Sequence, residues 1–109
     1  MLNIIDDKLQ ELGITKNYKG YNQLKLTLML ALEDETRLLS VTKSIYEPLS
    51  EKHGYSYQTI ERNIRTVVSK IYKENYSKLC ETARYKLPKE PTASEFIAIL
   101  VSDMQRSVV

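Results

Sequence analysis

The chain alternates between apolar runs at helical spacing and short breaks at glycines, prolines or polar clusters. Because an apolar residue at every third or fourth position forms a stripe along one face of an α-helix, the pattern predicts a first helix that ends near Gly13. A loop over 13–20 and a second helix over 21–33 follow. The second helix is apolar over most of its surface, which is typical of a helix at the centre of a core.

The middle of the chain predicts two short helices and then a long one. Apolar residues over 38–45 indicate a third helix, which Pro48 should end because proline disfavours helical backbone in the residue before it. The same proline suits the first turn of a new short helix over 48–53. Ser56 then stands where a capping residue for the long helix over 57–73 is expected.

The C-terminal third predicts a short helix over 77–86, a linker bracketed by prolines, and a last helix over 93–106. Thr92 and Glu95 have the spacing of a capping box, in which each side chain bonds the backbone of the other residue. No stretch alternates apolar and polar residues convincingly. We therefore expect an all-α protein, a compact bundle of about six helices forming one domain over 1–109.

The long helix over 57–73 separates its residues into two different faces. At about 100° per residue, its apolar side chains fall within an arc of about 100°, as a core-facing stripe should. The stripe consists of Ile60, Ile64, Val67, Val68 and Ile71. The opposite face carries Gln58, Arg62, Arg65, Ser69 and Lys73, flanked by Glu61 and Thr66. Between positions 52 and 78 six Lys or Arg stand against two Glu, a balance of +4, whereas the whole chain carries only +2.

The order of short helix, glycine turn and long helix predicts a helix-turn-helix over about 48–73, whose second helix enters the major groove of DNA. The residue types suit base reading, because arginine bonds two acceptors of guanine, glutamine pairs with adenine and glutamate accepts from cytosine. The candidates on these grounds are Gln58, Glu61, Arg62 and Arg65. The other interpretation is that this face is the solvated side of an ordinary bundle, with Glu61 and Arg65 as a surface pair.

Cationic and hydroxyl side chains around this helix suit the DNA backbone, because phosphate contacts set the register of a protein on the duplex. The expected phosphate-contacting residues are Lys43, Lys52, Tyr57, Ser69, Lys70 and Lys73. Tyr55 and Tyr57 lie at the turn, where their hydroxyls bond phosphate or their rings pack the turn against the core.

Catalytic and metal chemistry find little support in the sequence. Cys80 and His53 are the only residues of their types, which leaves too few soft ligands for a zinc site and suits the reducing cytoplasm. The acidic clusters at 6–7 and 33–35 consist of adjacent residues, which do not face one another on a helix. No apolar run approaches the roughly 18 residues of a membrane span.

Three stretches, in order and at matching spacing, resemble the C-terminal effector domains of the sporulation master response regulator (stage zero sporulation protein A). They are KGYNQL at 19–24, VTKSIYEPLSEKHGYSYQTIERNIRTVV at 41–68 and PTASEFIAILVSDM at 91–104. The resemblance runs from about Leu12 to Met104. It implies a six-helix domain whose helix-turn-helix binds promoter DNA sequence-specifically, reading a short GTCGA-like element that is often in tandem.

The resemblance also implies which residues carry the function. By position, the base-reading residues are Gln58, Glu61, Arg62, Arg65 and Thr66, of which Gln58 and Thr66 depart from the family's pattern. The last helix corresponds to the family's dimer-forming and polymerase-facing region. Its candidate partner-facing residues are Phe96, Ile99, Leu100 and Met104, for which core packing is the other interpretation.

In that family a phosphoacceptor receiver domain precedes the effector domain, and too few residues precede the first helix here to form one. We therefore expect either an excised fragment or a stand-alone effector, the latter controlled by abundance, dimerisation or a partner protein. We expect a cytoplasmic, non-enzymatic transcription regulator without cofactor, metal or membrane attachment. Its expected partners are double-stranded promoter DNA, RNA polymerase and a second copy of itself on tandem sites. The alternative is an interaction module that binds the full-length regulator or RNA polymerase without reading DNA.

Overall fold

Helices make up most of the chain in the computed structural model, which describes the backbone of residues 2–108 and the side chains of residues 4–106. The α-helices are α1 (Leu2–Glu11), α2 (Tyr21–Glu33), α3 (Glu47–His53), α4 (Tyr57–Glu74), α5 (Tyr76–Ala83) and α6 (Ala93–Val108). A 3₁₀ helix (Glu35–Ser40) and a π-helical turn (Thr42–Tyr46) connect α2 to α3. No strand occurs between residues 2 and 108, which confirms the all-α prediction.

The central helix of the bundle is α2, as its apolar surface predicts. It contacts α1, α4, α6 and both helical turns that precede α3. Its buried residues are Tyr21, Gln23, Leu24, Thr27, Leu28 and Ala31. Two of these buried residues are polar, and Gln23 uses its side-chain oxygen to accept a hydrogen bond from Asn63 of α4.

The capping box at the start of α6 is confirmed. The amide of Thr92 donates to Glu95 Oε1 over 2.8 Å, and the amide of Glu95 donates to Thr92 Oγ1 over 3.1 Å. Helix α5 ends earlier than expected, at Ala83, because Arg84 takes a left-handed conformation with φ of 68°. Its amide donates to Cys80 O over 2.8 Å, which closes the helix.

The prediction that Pro48 ends a separate third helix is wrong. Helical backbone continues from the π-helical turn into α3, and Glu47 is helical with φ of −64° and ψ of −46°. In a regular α-helix a proline ring collides with the carbonyl four residues before it. Here the amide of Glu47 donates five residues back, to Thr42 O, and this wider turn accommodates the ring without a break.

The interpretation of α6 as a partner-facing helix is wrong for three of its four residues. Phe96 and Leu100 are fully buried and Met104 is 1% exposed, because all three pack into the core of this chain. Only Ile99 is partly exposed. The apolar stripe of α6 is thus used within the domain, which is the packing alternative stated for these residues.

Candidate nucleic-acid interface

A three-residue turn joins α3 to α4. Gly54 ends α3 with a left-handed φ of 77°, a conformation that costs glycine little, and its amide donates to Ser50 O over 2.9 Å. Ser56 Oγ accepts a 3.1 Å hydrogen bond from the amide of Thr59 and caps α4. Both ends of the turn are therefore set by residues that the sequence singled out for these positions.

The rotation of α4 about its axis is set by its apolar stripe. Ile60, Ile64, Val67, Val68 and Ile71 are each 2% exposed or less. Because these side chains lie in the core, the opposite face of the helix points to solvent. On that face the structure brings together exposed Gln58, Arg62, Arg65, Thr66 and Lys73, with Glu61 and Ser69 half-buried among them.

The two arginines differ in their local partners. Arg65 Nε lies 3.9 Å from Glu61 Oε1, and the two side chains are 64% and 42% exposed. A pair as open and as long as this contributes at most a few tenths of a kcal/mol, so a ligand can displace it. Arg62 has no ion pair or side-chain hydrogen bond within the described part of the chain, although its carbonyl accepts from Thr66 Oγ1 over 3.0 Å.

The expected phosphate-contacting residues do not all lie beside this face. Lys73 is exposed on α4, and Lys43 is exposed on the π-helical turn. Tyr57 is 40% exposed in the first turn of α4. Lys70 places its ammonium 4.9 Å from the centre of the Tyr18 ring, a cation–π contact with the loop before α2. Lys52 lines a groove between α2 and α3 instead, next to residues such as Met29 and Glu33.

The tyrosines at the turn have separate surroundings. Tyr55 is half-buried against the core, and its ring stacks on His53 with 6.3 Å between the ring centres. Its packing role is therefore the one that the structure supports. Tyr57, in contrast, is exposed in the first turn of α4.

A contact between α4 and the start of α2 was missed by sequence reasoning. Asn63 is 8% exposed, and its Nδ2 donates to Gln23 Oε1 over 2.7 Å. Directly beside it, a Cβ built on Gly20 would lie 3.0 Å from both Cβ and O of Asn63, so only glycine fits there without a shift. The signal in the sequence is Asn63 itself, an uncharged polar residue at the edge of the apolar stripe.

Tyr46 lies on the opposite flank of α4. The residue is 2% exposed, and its hydroxyl is buried without a hydrogen-bond partner among the described residues. Burial raises the pKa of Tyr46 to about 12, and the negative charge of Glu61 adds to the effect. Glu61 on the exposed face of α4 therefore interacts electrostatically with a residue of the π-helical turn before α3.

Other chemistry is not assembled on the described surface. Among the described residues, no group of three or more His, Cys, Asp or Glu is placed to hold a metal ion. Within the same part of the chain, no helix has both the length and the apolar character needed to cross a membrane. The feature that remains is the exposed α4 face, which offers guanidinium, amide, hydroxyl and carboxylate groups at helical spacing.

Comparison with known protein families matches residues 5–104 to the family described as "Sporulation initiation factor Spo0A C terminal". The match spans nearly all of the 109 residues and includes the whole of α2 to α5. That family is the DNA-binding domain of a sporulation regulator and is not a catalytic family.

Proposed function

The chain belongs to the family of Spo0A C-terminal domains, which bind DNA in transcription regulation, and we propose that it recognises a specific DNA sequence by placing α4 in the major groove. The observation that carries the proposal is the orientation of α4. Arg62 and Arg65 project outward, while five branched aliphatic side chains hold the helix from behind. A helix of about 10–12 Å diameter fits a major groove of about 12 Å width.

Each base-reading residue has a chemical partner in the groove. Arg62 and Arg65 can each bond O6 and N7 of a guanine, Gln58 can pair with adenine, and Glu61 can accept from the amino group of cytosine. Thr66 already donates its hydroxyl to the carbonyl of Arg62. Its methyl group is therefore the part that meets DNA, and a thymine methyl is the matching contact.

The phosphate contacts are assigned by position around this face. Lys43, Tyr57, Ser69, Lys70 and Lys73 stand on or beside α4 and would set the register without reading sequence. The sixth expected phosphate contact, Lys52, lines the groove between α2 and α3 instead. The positive side chains would supply most of the non-specific affinity through release of counterions from DNA.

The test is selection of bound oligonucleotides from a random double-stranded pool, followed by affinity measurements on the enriched site. Arg62→Ala should cost about 1–3 kcal/mol on that site and relax the preference at one base position. The matched variant, Lys73→Ala, should weaken binding to all sequences alike. An unchanged enrichment profile for Arg62→Ala would remove this residue from the base-reading set.

The same experiment separates DNA reading from the alternative interaction module. A DNA reader loses affinity steeply between low and moderate salt, since each phosphate contact releases counterions. If the wild-type chain enriches no sequence and has no salt-dependent affinity for duplex DNA, while a polymerase subunit co-purifies with it, the module is the better description.

A further inference from the structure

The loop before α2, residues 15–20, lies against the flank of α4. At its end Gly20 meets the backbone of Asn63 so closely that an added Cβ would be 3.0 Å from the carbonyl oxygen. Nearer its middle, the Tyr18 ring lies 4.9 Å from the ammonium of Lys70. Asn63 and Lys70 are seven residues apart, which places them on the same flank about 10 Å apart along the helix. Two contacts over two turns thus hold the loop alongside α4.

The loop adds positive charge to this flank. Its sequence is TKNYKG, with two lysines and no acidic residue. Lys16 lines a cavity together with Asp6 and Gln10 of α1, and its charge adds to the lowering of the pKa of Asp6 that hydrogen bonds from Tyr21 and Lys25 chiefly cause. Lys19 is exposed and forms no ion pair with any residue that the structure describes. Lys70 lies over the Tyr18 ring and likewise forms no ion pair within the described part of the chain.

The loop over 15–20 lies where a DNA backbone would pass if α4 occupies the major groove. If α4 fills the major groove, the elements beside it lie over the phosphates at the two edges of that groove, since helix and groove have similar widths. The π-helical turn contacts α4, and the charge of Glu61 on α4 acts on Tyr46 of that turn. The loop lies on the Asn63 side. The loop is therefore placed to meet one DNA strand if α4 lies in the groove.

We propose that residues 15–20 form a second DNA contact, in which Lys19 and Lys70 bind phosphates of the strand along the Asn63 flank and Tyr18 positions Lys70. This inference rests on the proposed placement of α4 in the major groove. It adds Lys19 as a binding residue and Tyr18 as a positioning residue. Gly20, which has no side chain, lets the loop approach α4 closely enough for both.

The first experiment measures the Kd for the enriched duplex and for an unrelated duplex by fluorescence anisotropy over a series of salt concentrations. Each phosphate contact contributes about 0.9 to the slope of log K against log salt, equivalent to about eightfold in affinity per decade of salt. Lys19→Gln should lower the slope by about that amount on both duplexes and leave their affinity ratio unchanged. The matched control is Lys89→Gln, the same charge change at an exposed residue of the segment between α5 and α6.

The second experiment tests the positioning role of Tyr18. Tyr18→Phe keeps the ring and should bind DNA as the wild type does, whereas Tyr18→Leu keeps apolar packing and removes the cation–π contact. In the Tyr18→Leu background, Lys70→Gln should reduce affinity less than it does in the wild type. Circular dichroism melts of all variants verify that each is folded.

The outcomes separate the two proposals. If wild type binds DNA with a steep salt slope and Lys19→Gln has the slope of Lys89→Gln, the loop contact is refuted and the placement of α4 stands. Equal effects of Lys70→Gln in the presence and absence of the Tyr18 ring refute the positioning role. If the wild type itself has no salt-dependent affinity, the proposed function fails before the loop is tested.

Discussion

The buried pair of Asn63 and Gln23 offers the sharpest test of how α4 is anchored. The two side chains are 8% and 6% exposed and share a 2.7 Å hydrogen bond across 40 positions of sequence. Replacing one partner leaves the other buried without its hydrogen bond, which costs about 1–3 kcal/mol. We therefore expect Asn63→Leu and Gln23→Met each to lower the free energy of unfolding by about 2 kcal/mol.

The double variant should be more stable than the sum of the two single losses predicts. With both polar groups replaced by apolar groups of similar shape, neither is left unsatisfied, and such a replacement is nearly neutral. The coupling energy from the double-mutant cycle should thus exceed about 1 kcal/mol. Urea unfolding followed by far-UV circular dichroism measures all four free energies under one set of conditions.

Additivity would refute this reasoning. If the two single losses add to within about 0.3–0.5 kcal/mol, the residues act independently and the hydrogen bond does not fix α4 on α2.

The DNA affinity of the double variant provides a second readout when the two losses are coupled. In that case stability is restored but the directional hydrogen bond is gone, so the ratio of specific to non-specific affinity should fall while the salt slope stays that of the wild type.

Two further predictions concern single substitutions near α4. Gly20→Ala should lower the free energy of unfolding by about 1–3 kcal/mol because its Cβ overpacks the Asn63 backbone. Gly54→Ala has no atom within 4 Å of the new Cβ and should lower it by about 1 kcal/mol, the cost of a left-handed backbone alone. Equal urea midpoints for Gly20→Ala and wild type would contradict the close contact. Tyr46→Phe should be neutral or stabilising, since its hydroxyl has no partner among the described residues. The folded pKa of about 12 exceeds the ordinary 10.0, so ionisation of Tyr46 leaves the free energy of unfolding unchanged below about pH 10 and lowers it as the pH rises from about 10 to about 12. In urea unfolding measured at alkaline pH, Tyr46→Phe should lose less stability than the wild type between about pH 10 and pH 12. Identical pH profiles for the two proteins would refute the role of Tyr46 ionisation.

The parts of the fold that follow from local rules could be predicted from the sequence. The bounds of α2, the Ser56 cap and the Thr92–Glu95 capping box each depend on residues within one turn of one another. The orientation of α4 follows from its own stripe, because five aliphatic residues at helical spacing can be buried together in only one rotation.

The rest depended on contacts between distant parts of the chain. Pro48 was expected to break the helix, but burial of Ile45, Tyr46 and Leu49 on one side of the segment keeps the backbone helical through a wider turn. Local propensity is a weak prior when a tertiary core is available. The apolar stripe of α6 was ambiguous for a related reason. A periodic apolar face indicates that the face is buried, but it does not indicate whether the same chain or a partner buries it. Here Phe96 and Leu100 are fully buried in the core of the same chain.

If α4 reads bases as proposed, its precision depends on residues that do not themselves contact the DNA. Glu61 and Asn63 lie about 200° apart around the helix, so they mark its two flanks. One flank faces Tyr46 and the other is bonded to Gln23 and packed on Gly20. The hydrogen bond to Gln23 and the close packing on Gly20 oppose rotation of α4 about its axis, and in the proposed complex such a rotation would shift Arg62 relative to the bases. Discrimination between sequences should therefore be more sensitive to changes at Gly20 or Asn63 than overall affinity is, because overall affinity comes from phosphate contacts that tolerate small rotations.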